Sequence, residues 1–439
     1  MSGGFRDKLR RQRREDAPSK ITALRRQARE MIGRKLGKHR ARAVIREGGR
    51  AGDPTGLQIE ENAHGCFAAR IQDYPLDYRH GALALGAALE PPRYGWDLLA
   101  QDEALAQFSL HDAVFVDIET TGLRAGAGTQ VFLIGLGRFE ADRFVLWQGF
   151  LRDPKEEPAL LEACAQRLVG CSGMVSFFGK SFDRHRLHER FAYWRRSSPF
   201  LDLPHLDLYW LCRRLQPRGA EDGKLRTMEG LVAGVEREQD LPGSEAPAAW
   251  FAYQRGQPHL LEGVFAHHRD DVLSLLTLAA QLGRLCRASS CEAEAALLLA
   301  RCLHKRKDER ALSYWAKAWT QLDRELRRSC AVEYATMLRR AKDPGSALEV
   351  LEVARSDPRD KCFLEASLER IHIHRTLTRD YDAAQREFEL AQARLFECGI
   401  GWVREQWQQK LNKQAERLRR ARSKSQSQGK DKSKGPATP

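Results

Sequence analysis

The run Val114-Phe115-Val116-Asp117-Ile118-Glu119-Thr120-Thr121-Gly122 places two carboxylates two residues apart in an apolar, β-branched stretch. In a strand, residues two apart share a face, so Asp117 and Glu119 point the same way. So apolar a run belongs to a central strand buried on both sides. Two neighbouring carboxylates there repel and lose hydration, which is costly unless something compensates. A bound divalent cation would compensate; the other reading is that the strand ends at Asp117 and both acids cap a loop. Ser176-Phe177-Phe178-Gly179-Lys180-Ser181-Phe182-Asp183 reads as a strand-to-helix junction. Asp183 falls in the first helical turn, where the helix dipole alone also favours an acid. His267-His268-Arg269-Asp270-Asp271 reads as part of a long helix. His267 and Asp271 are four apart and share its face, while His268 points about 100° away. Lys180 and Arg269 are candidate phosphate contacts, since cations beside such a site attract a polyanion; otherwise they are solvated surface charges.

The elements that must position these residues begin near Ala113. AVFVDIE (113–119), VFLIGLGRFE (131–140) and RFVLWQGFL (143–151) are closely spaced strand candidates whose short connections predict antiparallel neighbours. A helix near 157–168, a strand near 174–178, a helix near 182–194, a short strand at 205–208 and further helices ending with 260–285 follow. Three strands and then α–β–α–β–α is the element order of a ribonuclease H-like sheet. The expected fold class is therefore an α/β domain over 111–286, a mixed five-stranded sheet flanked by helices, followed by an all-α helical-repeat domain. Upstream, 1–50 read as a basic arm broken by Gly and Pro from Gly48 to Gly56, and 51–110 as a connector or lead-in.

From 290 to 422 the strand signals stop. Amphipathic helices led by Asp308, Asp343 and Asp380 recur near every 36 residues. This spacing resembles tetratricopeptide helix pairs, which run about 34 residues, with an ordinary helical bundle as the other reading. Trp315, Trp319, Trp402 and Trp407 could stack bases but sit at core-like helical spacing. Residues 423–439 are low-complexity and read as a disordered basic tail.

Charge is unevenly placed along the 439 residues. The formal net is +14; residues 1–50 carry +12 and 410–439 carry +8, leaving −6 between them. Basic ends on an acidic body suit a polyanion such as nucleic acid, or serve solubility. With 42% hydrophobic residues the chain can build cores, so a wholly disordered protein is excluded. No apolar run suits a membrane span or a secretory signal, and ten scattered cysteines without a CxxC pair suggest neither zinc nor disulfides. The expectation is a soluble, cytoplasmic protein with no membrane partner.

In order and setting, Asp117, Glu119, Asp183 and Asp271 resemble the four acids of DEDD-type 3′–5′ exonucleases. The blocks DIETTGLRAGAGTQVFLIGLGRFE, FLRDPKEEPALL, FFGKSFDRHRL, LPHLDLYWLCRRL, REQDLPGSEAPAAWFAYQRG and HHRDDVLSLL, preceded by YPLDYRHG, are similar to successive blocks of the YprB-like ribonuclease H-like family. The likeness covers about residues 60–285. It implies a hydrolase of phosphodiester bonds, with the four acids holding two divalent cations, Mg²⁺ or Mn²⁺, and DNA or RNA as substrate. Oxygen ligands without cysteine suit such ions better than zinc. Two departures stand out: Phe178 sits where related sequences tend to have Asn, and His267 takes the four-residue spacing before Asp271 usual for tyrosine. His267 is the candidate catalytic base. The alternative reading is a nucleic-acid-binding or protein-scaffolding module on a nuclease fold of reduced activity, with the helical repeats recruiting a protein partner.

Overall fold

The computed structural model describes residues 53–92, 94–122, 128–215, 220–237, 241–285, 292–356, 361–395 and 402–432. The basic arm expected over 1–50 lies outside them. The chain divides into two compact units between residues 289 and 290.

In the first unit the strands are β1 (Leu57–Asn62), β2 (Gly65–Pro75), β3 (Arg79–His80), β4 (Leu83–Ala84), β5 (Ala113–Thr120), β6 (Val131–Glu140), β7 (Arg143–Phe150), β8 (Gly173–Ser176) and β9 (His205–Asp207). Its helices are α1 (Trp96–Ala100), α2 (Glu157–Arg167), α3 (Asp183–Tyr193), α4 (Leu208–Leu215), α5 (Leu225–Met228), α6 (Ala246–Gln254) and α7 (Leu261–Leu285). The mixed sheet flanked by helices is present, but it has seven strands rather than five, ordered β1-β2-β7-β6-β5-β8-β9. β5 is central, antiparallel to β6 and parallel to β8.

The two additional strands come from the segment read as a connector. β2 pairs antiparallel with β7, from Ala68↔Phe150 to Pro75↔Arg143, and so covers what would be an open edge. Buried charge disguises these strands in the sequence. Glu60 on β1 is 2% exposed, yet it accepts hydrogen bonds from Trp147 Nε1 (2.9 Å) and Arg167 Nη2 (2.8 Å). Arg70 on β2 binds Glu262 of α7 through two hydrogen bonds of 3.0 and 2.8 Å, the bidentate fork geometry of an arginine–carboxylate pair.

Helix α7 crosses the sheet closely because β6 carries Gly135 and Gly137 where the helix passes. A Cβ on Gly135 would come within 2.6 Å of His268 Cε1 and 2.8 Å of Val272 Cγ2, and one on Gly137 within 2.8 Å of Val272 Cγ1. Gly135 is the register partner of Asp117. The missing side chain is therefore what lets α7 approach the acid-bearing strand.

The second unit is helical: α8 (Ala293–Lys305), α9 (Ala311–Gln321), α10 (Arg324–Arg340), α11 (Pro344–Ala354), α12 (Lys361–Ile373), α13 (Tyr381–Arg394) and α14 (Trp402–Lys432). The repeat read from sequence has a backbone signature. Lys307, Lys342 and Arg379 adopt positive φ of 57°, 61° and 54°, and the aspartate that follows each one accepts from a backbone N–H ahead: Asp308 from Arg310, Asp343 from Ser346 and Asp380 from Ala383. Trp315, stacked on Tyr334 at 5.6 Å, and Trp407 are buried core residues. The reading of 423–439 as disordered is corrected for 423–432, which continue α14; 433–439 lie outside the described residues.

Gly135→Ala is expected to destabilise the chain by about 1–3 kcal/mol, as overpacking does, and to shrink any rise in melting temperature caused by Mn²⁺. Gly128→Ala, where a Cβ meets nothing within 4 Å, is the neutral control. A Gly135→Ala protein melting with the parent would show that the glycine does not set the helix–sheet distance.

Candidate active site

β5 presents its residues by strict alternation. Val114, Val116 and Ile118 enter the core cluster, while Asp117 and Glu119 remain partly exposed on the opposite face, beneath α7. A register shift at Glu119/Thr120 ends the regular pairing just beyond the second acid. Asp183 opens α3 and is 5% exposed. The nearby backbone N–H groups of Asp183 itself and of Ile118 favour its ionised form. Asp271 arrives from α7. Glu119, His267 and Asp271 offer ligand atoms that all lie within 4.8 Å of one another.

These four acids have too little positive charge among them. Burial, then repulsion from Asp271, Asp183 and Glu119, holds the Asp117 carboxyl well above the usual carboxylate range. Glu119 is raised in the same way by burial, Asp271 and Asp183. Burial and the neighbouring Asp207 and Asp271 push Asp183 up to about 7, against the pull of its two backbone donors. A divalent cation removes both penalties, so the residues present fit the cations implied for the site. Four carboxylates also form a hard oxygen donor set suited to Mg²⁺ or Mn²⁺.

One cation is built in. Arg237, only 4% exposed in its side chain, donates to Asp271 Oδ1 (2.6 Å) and Glu229 Oε2 (2.7 Å). Burial alone would lower its pKa; Asp271 and Glu229 outweigh burial and raise it. Sequence reading passed over this pair, because eight residues and a turn separate Glu229 from Arg237 and no periodicity links them. Arg237 Nη1 also lies 3.3 Å from His267 Nδ1. A guanidinium can only donate, so Nδ1 accepts, and the proton of the neutral ring sits on Nε2, 3.3 Å from Asp271 Oδ2.

His268 points away from the His267 face, as helical spacing predicts, and into the sheet. It is fully buried, with Nε2 3.1 Å from the Asp117 carbonyl oxygen and Nδ1 3.0 Å from Gln148 Nε2. Burial lowers its pKa to about 4, so it is a neutral strut between α7 and β5.

The Ser176–Asp183 junction is shaped by Asp207, the last residue of β9. Its carboxylate accepts from the backbone N–H groups of Phe178 (2.8 Å), Lys180 (3.0 Å) and Tyr209 (3.2 Å). A Cβ on Gly179 would come within 2.9 Å of Asp183 Oδ2, so only glycine fits beside that acid. Phe178 has φ of 62°, a region costing a side chain with a Cβ about 1–2 kcal/mol. The two candidate phosphate contacts are engaged elsewhere: Lys180 Nζ binds Asp102 Oδ2 at 2.9 Å and Arg269 Nε binds Asp270 Oδ1 at 2.7 Å.

Residues 114–283 match the sequence model of the RNase H superfamily. The chain is 29% identical over 352 residues to the uncharacterized protein YprB of Bacillus subtilis (strain 168), across 70% of this chain and 84% of that protein. Among solved structures, the family B DNA polymerase from the hyperthermophilic archaeon Pyrobaculum calidifontis is similar over 62% of this chain and 49% of that chain, at 12% identity and a TM-score of 0.32. The chain spans about half the length of that polymerase, and so distant a likeness says nothing about function.

The raised acids give a signed pH dependence. A carboxyl whose folded pKa exceeds its unfolded value near 4 stabilises the fold below that value, and this stability is lost as pH rises through the folded pKa. His80, His205 and His268, lowered by burial to about 4, 3 and 4, oppose this only below about 6.5, the unfolded histidine value. In EDTA the melting temperature should therefore fall as pH rises from about 6.5 through about 7. Mn²⁺ should raise it more at pH 8 than at pH 6. A melting temperature that climbs with pH in EDTA would refute the charge deficit.

Proposed function

From the premise that this is a YprB-like, ribonuclease H-like protein, we propose that it is a metal-dependent nuclease, a 3′–5′ exonuclease using two divalent cations. The observation that supports this most is the convergence of Asp117, Glu119, Asp183 and Asp271 from three separate elements with too little positive charge among them. A structural role would not need four repelling acids, and three of them carry raised pKa values of the kind that gather at functional sites. When bound, divalent cations would neutralise phosphate charge and ease ionisation of the attacking water.

The chain's own residues do the rest. Asp117 and Glu119 are held by the sheet, Asp183 by the start of α3, and Asp271 by Arg237. His267 is the proposed base. To accept a proton at Nε2 it must give up the proton it directs at Asp271 and carry one on Nδ1, where Arg237 now donates. The basic segments over 1–50 and 410–439 suit the phosphate backbone of a nucleic acid. The recurring positive-φ residue and aspartate of the second unit support a tetratricopeptide-like stack open to a protein partner.

The decisive experiment is digestion of DNA and RNA strands labelled at either end, with Mn²⁺, Mg²⁺ or EDTA. Metal-dependent shortening from the 3′ end is expected, and Asp117→Asn should abolish it while the fold persists. Undiminished cleavage by that variant would sink the metal assignment. His267→Ala should cut turnover by roughly 10²–10⁴-fold, the usual worth of a positioned base. A loss below tenfold would instead assign His267 to holding Asp271.

A further inference from the structure

Charged side chains run from helix to helix across one face of the second unit. Arg301 of α8 donates to Glu333 of α10 through Nε (2.8 Å) and Nη2 (3.0 Å). Further along the same two helices, Arg340 Nη1 donates to His304 Nε2 at 3.3 Å. Arg339 of α10 then reaches Glu369 of α12 at 2.5 Å, and His372 Nδ1 lies 4.0 Å from that glutamate. α12 packs against α14, whose Arg417 repels Arg375, just past the end of α12. The two glutamates answer Arg301 and Arg339. Arg340, Arg375 and Arg417 have no carboxylate in ion-pair contact among the described residues. Arg340 and Arg417 are exposed and Arg375 is half-buried, its Nε buried without a hydrogen-bond partner. The excess charge is felt nearby. Burial and then Arg340 lower the pKa of His304; burial and then Arg339, with Arg375 and Arg417, lower that of His372 against the pull of Glu369. Exposed apolar anchors are missing from this unit. Among the described residues, the large apolar side chains that stand exposed, from Ile71 to Phe251, all belong to the first unit.

We propose that this face binds the phosphate backbone of a nucleic-acid strand through Arg340, Arg375 and Arg417, without reading its sequence. A protein segment held here would need exposed anchors of the aromatic or aliphatic kind that carry most of the energy of protein interfaces, and this unit displays none among the described residues. A polyanion needs only matching charge, and a guanidinium presents its donors in the planar fork that phosphate accepts. The length of the face also suits a chain of anions rather than a single ion. Helices packed about 8–10 Å apart put α8 and α14 roughly 25–30 Å from each other. Arg417 lies within the basic segment 410–439, so the face runs on into it. The choice of nucleic acid among polyanions rests on the nuclease reading of the first unit; the unanswered arginines do not.

The test uses the full chain in EDTA, where no cleavage intervenes. Affinities for labelled single-stranded DNA, single-stranded RNA and duplex DNA are measured by fluorescence anisotropy from low to high KCl. Arg340→Gln and Arg417→Gln should each flatten the plot of log affinity against log salt by about 0.7 on single strands and about 0.9 on duplex, the slope of one phosphate contact. The loss should be the same for any base sequence. Arg340→Lys keeps the charge and should keep the parent slope. Arg386→Gln, on α13 and outside the face, should keep it too. Melting curves confirm that each variant is folded. Unchanged slopes in both Arg340→Gln and Arg417→Gln, or an equal loss in Arg386→Gln, overturn the proposal. So does weaker binding of poly-glutamate with unchanged binding of nucleic acid, which would give the face to an acidic protein segment. Mn²⁺ digestion by the parent separates this claim from the nuclease reading. Cleavage with unchanged slopes removes the face alone, whereas flattened slopes with no cleavage by the parent keep the face and remove the nuclease.

Discussion

Repulsion among Asp117, Glu119, Asp183 and Asp271 is the constraint on which the first unit's arrangement depends. Four acids cannot be gathered in a partly buried place without rigid supports, because each would otherwise turn toward water. The supports are specific and differ for each acid. Asp117 and Glu119 lie on a central strand paired on both sides. Asp183 is placed by the start of α3, where it is 5% exposed. Asp271 is held by a guanidinium that is itself locked against Glu229. Remove the rigidity and the acids would spread apart; the fold stores the repulsion and a cation relieves it.

Glycine and buried neutral histidine do the positioning that charge cannot. Gly135 makes room for His268, and His268 spans from α7 to the Asp117 backbone. Burial keeps His268 unprotonated, so the strut adds no charge of its own to the site. His80 plays a similar part further along α7, with Nε2 2.8 Å from Ser274 Oγ, and burial lowers its pKa to about 4 as well. The lead-in segment thus does more than precede the domain. It lends two strands to the sheet and braces the same helix that carries Asp271.

Much of this was legible in the sequence, and what escaped follows a pattern. Period-two alternation placed Asp117 and Glu119 on one face, and helical spacing paired His267 with Asp271; both are local rules acting over a few residues. The strands β1 and β2 were missed because Glu60 and Arg70 interrupt their apolar pattern, and those charges are satisfied only by partners about 100 or more residues away. Arg237 was missed for the same reason. Its three contacts, with Glu229, His267 and Asp271, are made across a turn and onto another helix. His268 was placed correctly around the helix but its neighbours were not legible, since helical geometry fixes direction and only the sheet fixes what lies there. The aspartates of the helical repeats were found because a cap and its helix are contiguous.

The charge deficit is unevenly spread, and that asymmetry follows from Arg237. Its guanidinium engages Asp271 directly but contacts neither β5 acid nor Asp183 in any hydrogen bond among the described residues. Asp117 and Glu119 are raised well above the usual range, and Asp183 to about 7. The unmet demand for positive charge therefore falls on the strand and on the start of α3, beside the junction that displays Phe178. Asp207 sharpens this further: it adds a fifth negative charge against Asp183 while its backbone hydrogen bonds shape the junction. A carboxylate that raises its neighbour's pKa and also holds a phenylalanine in a strained conformation is a poor choice for stability alone. Both costs fall at one place, and strain of this kind clusters at functional sites.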